Sequence, residues 1–187
     1  MSLLKQLQNL GRRCALFAAI SLLAMGISWA VKSSIPNVGE KTPDFSLKDF
    51  NGREFTLSTE LKENKATLLW FTNLCKGCQV KLPEMEKIRN LYNGKGIEVV
   101  AISVLGKDRK TVENTIRDKK LTLRFLFDPK GKVTEQFSGQ YHPGTCPLQN
   151  IFLIGKDRKI AYADHYPGIE ESEITDQLNK IIGGEEK

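Results

Sequence analysis

The residues of this chain best suited to chemistry are a pair of cysteines spaced Cys75-Lys76-Gly77-Cys78. The thiolate is the nucleophile, and near neutral pH an ordinary thiol is mostly protonated, so a reactive cysteine needs a place where negative charge is stabilised. Leu68 to Leu74, ahead of the pair, is an apolar run with large side chains, and Val80 to Tyr92 after it has helical periodicity. The pattern reads as strand, turn and helix. It puts Cys75 at the first helical turn, beside unpaired N–H groups and the positive end of the helix dipole. Cys75 is then the attacking sulfur. Cys78, about one turn further in, is placed to resolve a mixed disulfide formed on it. Lys76 adds a cation and Gly77 leaves the turn uncrowded.

Two plainer readings weaken on the same residues. A structural zinc site needs four ligands, and Cys146, His142 and His165 are scattered rather than paired, so we expect neither a metal nor a cofactor. An inert structural disulfide is disfavoured because a strand and a helix flanking Cys-x-x-Cys are the setting of a redox pair.

The elements that position the pair can be followed along the chain. Asp44 to Lys48 alternates, Asn51-Gly52 signals a type I′ turn, and Glu54 to Leu57 alternates back, which predicts a β-hairpin. Ser58 caps a short helical turn through Leu61, and Ala66 to Thr72 is the buried strand leading to the cysteines. In the helix that follows, Val80, Met85, Ile88 and Leu91-Tyr92 share a face, Pro83 marks a kink or break, and Gly94 and Gly96 end it. Ile97 to Val104 is a β-branched run suited to a strand covered on both faces. Asp108 to Lys119 is predicted helical with Val112, Ile116 and Leu121 inward. Leu121 to Phe127 is an apolar stretch closed by Asp128-Pro129, and Thr134 to Phe137 forms one helical turn. Ile151 to Ile154 and Ile160 to Ala163 make a second hairpin, and Glu170 to Ile182 an amphipathic closing helix. The fold class is α/β, with the order hairpin, then β-α-β-α-β-β-α and an antiparallel end to the sheet.

The whole chain narrows the function classes. It has 187 residues, 40% hydrophobic and 27% charged, which is a globular composition. The formal charge of +6 owes half its size to Lys5, Arg12 and Arg13, where no acid stands, leaving 25 basic against 22 acidic residues from 31 onward. No basic stripe interleaves with aromatics, so nucleic acid is not an expected partner. Cys14 to Val31 is an uncharged apolar run of 18 residues, about 27 Å as a helix against a hydrocarbon core of about 30 Å. Basic residues ahead of it place the N-terminus in the cytoplasm. Ser28-Trp29-Ala30 also has the form of a signal-peptide cleavage site, and either reading exports the domain. We expect residues 1–31 as cytoplasmic N-terminus and membrane anchor or signal peptide, 32–38 as a linker, 39–183 as the domain and 184–187 as a tail. The domain then lies on the extracytoplasmic, periplasmic side of a single-pass protein.

Pro43-Asp44-Phe45-Ser46-Leu47 with Asn51-Gly52, Leu68 to Cys78, Val99 to Ile102, Asp128-Pro129-Lys130-Gly131 and Phe152 to Asp157 together resemble the exported TlpA/ResA-type thioredoxin-like proteins. The resemblance covers residues 39 to 183. It implies a thioredoxin-like fold with an N-terminal β-hairpin and a central insertion. It also implies thiol-disulfide exchange on protein thiol or disulfide substrates outside the cytoplasm, often reduction of apocytochrome c, with electrons from a membrane donor. The residues it makes catalytic are Cys75 and Cys78, and Pro147 is the substrate-positioning residue.

The sequence departs from that family in four places. Leu74 stands where Trp is usual, and Gly77 is an unusual residue before the second cysteine. Lys81 replaces an acid that in many members takes a proton from the buried thiol. The cis-proline loop is longer, with Pro147 five residues before Phe152. Gly144-Thr145-Cys146-Pro147 resembles the family's Gly-Thr-Pro with a cysteine added, which predicts Cys146 close to Cys75, pairing with it or guarding it. Lys76, Lys81 and Cys146 are therefore candidate modulators. The family resemblance favours a reductant, while Lys76, by favouring the thiolate, argues the other way.

Two rival functions share parts of this pattern. A peroxiredoxin-like peroxidase would use Thr72-x-x-Cys75 with Arg124 as the distant arginine, although Leu68 stands where that family has proline. A copper carrier of the Sco type would use two cysteines and a histidine, but its cysteines are three residues apart and these are two.

Overall fold

The computed structural model describes residues 35–139, 141–166 and 168–184. The apolar run from Cys14 to Val31 lies outside them, as does the acidic tail. No helix among the described residues is long and apolar enough to cross a membrane.

One seven-stranded sheet carries the structure. Its strands are β1 (Ser46–Asp49), β2 (Glu54–Thr56), β3 (Ala66–Thr72), β4 (Ile97–Ser103), β5 (Arg124–Phe127), β6 (Ile151–Gly155) and β7 (Ile160–Asp164). Their spatial order is β2-β1-β5-β4-β3-β6-β7. The centre is parallel, with β3 on β4 from Ala66↔Ile97 to Thr72↔Ser103, and β4 on β5. Both flanks are antiparallel, through β1 on β5 and through β6 on β3 and β7.

The helices are α1 (Leu57–Glu63), α2 (Lys76–Tyr92), α3 (Arg109–Asp118), α4 (Lys132–Ser138) and α5 (Glu171–Gly183). Side chains alternate across a strand, so β3 serves two cores at once. Ala66, Leu68 and Trp70 face a cluster completed by Leu82, Met85 and Ile88 of α2, Val112 of α3 and Leu178 of α5. Leu69 and Phe71 face the opposite cluster, with Leu57 and Leu61 of α1 and Phe137 of α4. Every residue of β3 is buried, which is why its sequence is apolar but for Thr67 and Thr72.

The two ends of α2 explain its placement. It starts at Lys76, earlier than its apolar periodicity suggests, because Cys75 itself is the N-cap. It ends at Tyr92, just before Gly94, whose φ of 74° lies in the left-handed region that glycine adopts freely. The buried face is Cys78, Leu82, Met85, Ile88 and Tyr92. Val80 and Leu91, expected inward, are 73% and 46% exposed, the first two residues and the second one residue off that stripe. Pro83 causes no break; the helix is continuous through it, because Pro83 removes a single N–H near the first turns and the face on either side stays packed.

Three other expectations need correction. The first hairpin does not turn at a two-residue type I′ loop. Its ladder stops at Lys48↔Glu54, and Asp49 organises the connection by accepting from the N–H groups of Asn51 and Arg53, both at 2.9 Å. Arg124–Phe127 is a full strand, which the expected order lacked; it is short, and its apolar side chains alone do not separate strand from loop. The expected turn at Thr134–Phe137 is a helix of 7 residues, started where Thr134 N–H and Oγ1 both donate to Asp128 Oδ2 at 2.9 Å.

Candidate functional site

β3 delivers the chain to the site and local hydrogen bonds then bend it into α2. Thr72 Oγ1 accepts from Leu74 N–H at 3.1 Å, and Asn73 Oδ1 accepts from Cys75 N–H at 3.1 Å. Both are side chains accepting from the backbone two residues on, which is the turn-forming habit of these residue types. Leu74 takes a left-handed φ of 53°, uncommon for a residue with a Cβ. Its buried side chain anchors it to the core, and Gln79 Nε2 donates to its carbonyl at 2.9 Å.

Cys75 is exposed and Cys78 is buried. As the N-cap, Cys75 Sγ accepts from Cys78 N–H at 3.4 Å, so one of the orphan donors of the first turn points at the sulfur. A negative charge on that sulfur meets the N–H and the positive end of the helix dipole together. Lys76, the first helical residue, is exposed beside it.

The segment from Tyr141 to Pro147 closes over the pair. Asn73 Nδ2 donates to Gly144 O at 2.8 Å, which ties this segment to the end of β3, and Gly144 N–H donates to Val104 O at 2.9 Å. Cys146 is half-buried, and the Cys78 thiol donates to Asn73 Oδ1 at 3.6 Å. The neighbouring Cys146, followed by burial, pushes the Cys78 thiol far above the usual range. Cys146 is in turn held below its ordinary value by Cys78, against its burial and with help from Asn150, whose Nδ2 donates to its Sγ at 3.0 Å.

The structure thus brings Cys75, Cys78 and Cys146 together, and both cysteines of the pair bear on the third. The segment that carries Cys146 reverses at Gly144, with φ of 80°, and no peptide bond among the described residues is cis, so Pro147 stands in the trans form instead of the expected cis-proline. A trans bond is the lower-energy form for X–Pro by about 0.5–1 kcal/mol, and the longer segment needs no cis turn to reach β6. Pro147 O lies 3.2 Å from His165 Nδ1. Lys81 is not at the sulfurs. Its ammonium binds Glu84 at 2.9 Å and Ile169 O at 3.0 Å, beside the Tyr166 ring.

The arginine of the peroxidase pattern is engaged elsewhere. Arg124 is held by Glu60 at 2.9 Å and Asp49 at 3.4 Å, and donates to Glu54 O at 2.7 Å. Strand register places it level with Val100, three residues behind the Phe127↔Ser103↔Thr72 row that abuts the thiols. Thr72 spends its hydroxyl on Leu74 and Cys78. No three His, Cys, Asp or Glu side chains among the described residues are arranged to hold a metal ion.

Two functional residues escaped the sequence reading. Asn73 carried a usable signal, an Asx residue two before the cysteine it orients. Asn150 carried none, since a buried amide at the head of an apolar strand has no spacing of its own.

The AhpC/TSA family matches residues 38–163. Thiol-disulfide oxidoreductase ResA of Geobacillus thermodenitrificans is 31% identical over 123 residues, 66% of this chain and 66% of that protein. ResA of Geobacillus kaustophilus is 30% identical over 161 residues, 84% of this chain and 87% of its own. Among solved structures, a thiol:disulfide interchange protein DsbE from Chlorobium tepidum superposes with a TM-score of 0.64 at 23% identity, covering 79% of this chain and 99% of that one. StoA from Bacillus subtilis gives 0.58 at 20% identity, over 73% and 96%. A peroxidoxin, BcpB from Mycobacterium tuberculosis, gives 0.64 at 19%, over 81% and 99%, so the fold by itself does not separate the two chemistries. With the thioredoxin-like fold, the Cys-x-x-Cys at the head of α2 and these relatives together, the chain belongs to the AhpC/TSA family, in its ResA/TlpA-type branch.

Proposed function

We propose that the domain is a thiol-disulfide oxidoreductase acting on protein disulfides, with Cys75 as nucleophile and Cys78 as resolving thiol. The observation that carries this is the pairing of an exposed N-cap sulfur with a buried thiol one turn behind it. The Cys75 thiolate attacks one sulfur of a substrate disulfide, forming a mixed disulfide and releasing the other sulfur as a thiolate. The Cys78 thiolate then attacks Cys75 Sγ, forming the Cys75–Cys78 disulfide and releasing the second substrate thiolate. Two electrons pass from the cysteine pair to the substrate.

The surface around Cys75 suits a polypeptide. Leu148, next to Pro147, is 90% exposed, and Val80 on α2 is 73% exposed, so bare apolar side chains stand on both elements that meet at the sulfur. Pro147 and its neighbours offer backbone to an extended partner segment. In this reading the protein is tethered by the apolar segment from Cys14 to Val31, works outside the cytoplasm, and takes electrons from a membrane donor. It is a reductant, with apocytochrome c among the substrates its family resemblance suggests.

The reduction potential of the full chain, set by equilibration with glutathione or dithiothreitol and thiol trapping, tests direction. A potential of about −270 mV or lower supports a reductant, and one near about −120 mV makes it an oxidant. Failure to form the Cys75–Cys78 disulfide would overturn the function itself.

A further inference from the structure

Asn73 stands between the end of β3 and the first cysteine, and both polar atoms of its amide are engaged at the site. Oδ1 accepts from Cys75 N–H at 3.1 Å, and Nδ2 donates to Gly144 O at 2.8 Å. A backbone N–H only donates and a carbonyl only accepts. Turning the amide over would set donor against donor at Cys75 and oxygen against oxygen at Gly144, so its orientation is fixed from two sides. The third partner is the sulfur of Cys78, 3.6 Å from the same Oδ1.

An oxygen held in that orientation discriminates between the states of the sulfur it faces. A Cys78 thiol donates its S–H to it. A sulfur in a disulfide has no proton to offer and meets a lone pair instead. Cys78 is fully buried, which keeps water from standing in for the missing partner. The nearby polar side chains of the turn have other tasks: Thr72 Oγ1 accepts from Leu74 N–H at 3.1 Å, and Gln79 Nε2 donates to Leu74 O at 2.9 Å.

The geometry points to Asn73 as the positioning residue that sets the reduction potential of the Cys75–Cys78 pair, by accepting the Cys78 thiol in the reduced state alone. This role rests on the function proposed above. When the pair reduces a substrate disulfide, the Cys75–Cys78 bond forms as the substrate's S–S bond breaks, and two electrons and two protons pass to the substrate sulfurs. The Cys78 S–H is lost in that exchange, and with it the bond to Oδ1. An interaction present only in the reduced protein favours that form and raises the potential. Asn73 thus moderates the pair as a reductant, acting on the protonated sulfur of Cys78 while the N-cap N–H acts on the sulfur of Cys75.

The test is the reduction potential of the full chain, wild type against Asn73→Ala, by equilibration with glutathione and thiol trapping. The substitution is expected to lower the equilibrium constant for reduction about 5-fold, a shift of about 20 mV to the reducing side at about 30 mV per tenfold. A constant within about 2-fold of wild type, or a shift to the oxidising side, overturns the proposal, since a lost donor–acceptor pair is worth more than that.

A second measurement reads the bond itself. The infrared S–H stretch of Cys78 in the reduced chain is assigned by its loss in Cys78→Ala. In the wild type it is expected below the frequency of an unbonded thiol, which requires no change at Asn73, and in Asn73→Ala it is expected to rise. A wild-type band at the unbonded frequency, or one that stays in place in Asn73→Ala, overturns the proposal. A wild type that forms no Cys75–Cys78 disulfide overturns the underlying function instead, and the S–H band of the reduced chain tells the two failures apart.

Discussion

The two ends of the β3–β4 pair hold polar groups in opposite ways. At the end reached by Thr72 and Ser103, three sulfurs, two amides and a hydroxyl are joined by single hydrogen bonds, and one sulfur is bare to solvent. At the end begun by Ala66 and Ile97, Arg124 is clasped by Glu60 and Asp49, with Glu98 at 3.8 Å. There the surface forms a cavity of about 250 Å³ lined by Arg53, Arg89, Glu98 and Arg124. Charge thus gathers at this end of the pair. The charged end offers groups whose protonation is fixed near neutral pH and which lock elements together. The sulfur end offers groups whose protonation can change, which is what exchange chemistry needs.

Substitutions that break one end and spare the other sharpen this contrast. The largest effect is expected from Cys75→Ser, which abolishes disulfide reduction, at least about 1000-fold by insulin turbidity, and leaves the melting temperature in place. Arg124→Met does the reverse. It leaves Asp49 and Glu60 without their shared cation and lowers stability by about 3 kcal/mol in urea titration, while turnover per folded molecule is unchanged.

Asn150→Ala should blur the two, because this amide serves the fold and the site together. It strips partners from the Tyr166 backbone N–H and C=O as well as from Cys146, costing about 2 kcal/mol and changing the rate of disulfide exchange per folded molecule.

Asp49→Asn carries a pH signature. Burial raises this carboxyl, but the N–H groups of Arg53 and Asn51 and the Arg53 guanidinium outweigh it, so the folded value lies below the ordinary 3.8. A lowered carboxyl contributes its stability fully above the unfolded value, and the contribution fades as pH falls through the folded one. The difference between wild type and Asp49→Asn is therefore about 1.5 kcal/mol at pH 7 and disappears in strong acid, which urea titrations across pH 2 to 7 would show. The smallest effect is expected from Leu148→Ser, within about 0.5 kcal/mol in stability, with KM raised for a protein substrate and not for a small aromatic disulfide.

Much of this organisation was legible in the residues. The run from Ala66 to Thr72 matches β3 residue for residue, because burial on both faces leaves it uncharged and rich in large apolar side chains. Cys75 and Cys78 were legible because two thiols one turn apart at a strand-to-helix junction have few other uses. The helix face was harder. Val80 and Leu91 are apolar yet point outward, since apolar type alone does not place a residue on the buried stripe. The contact of Cys146 with Asn150 was not legible, for it depends on where a segment lands after reversing at Gly144, and no spacing in the chain encodes it.

The pairing of β3 with β6 also sets an order of assembly. Trp70 lies beside Ile151, so the strand that carries the cysteines completes its pairing only with a strand made long after it. A chain emerging from its N-terminus presents Cys75 and Cys78 well before Cys146 and Asn150 exist. Closing so long a loop is slow relative to forming local helix, so α2 can form early while β3 waits for β6. The exposed Cys75 is therefore made before the segment that packs beside Cys78, and a half-made chain carries two bare thiols until β6 arrives.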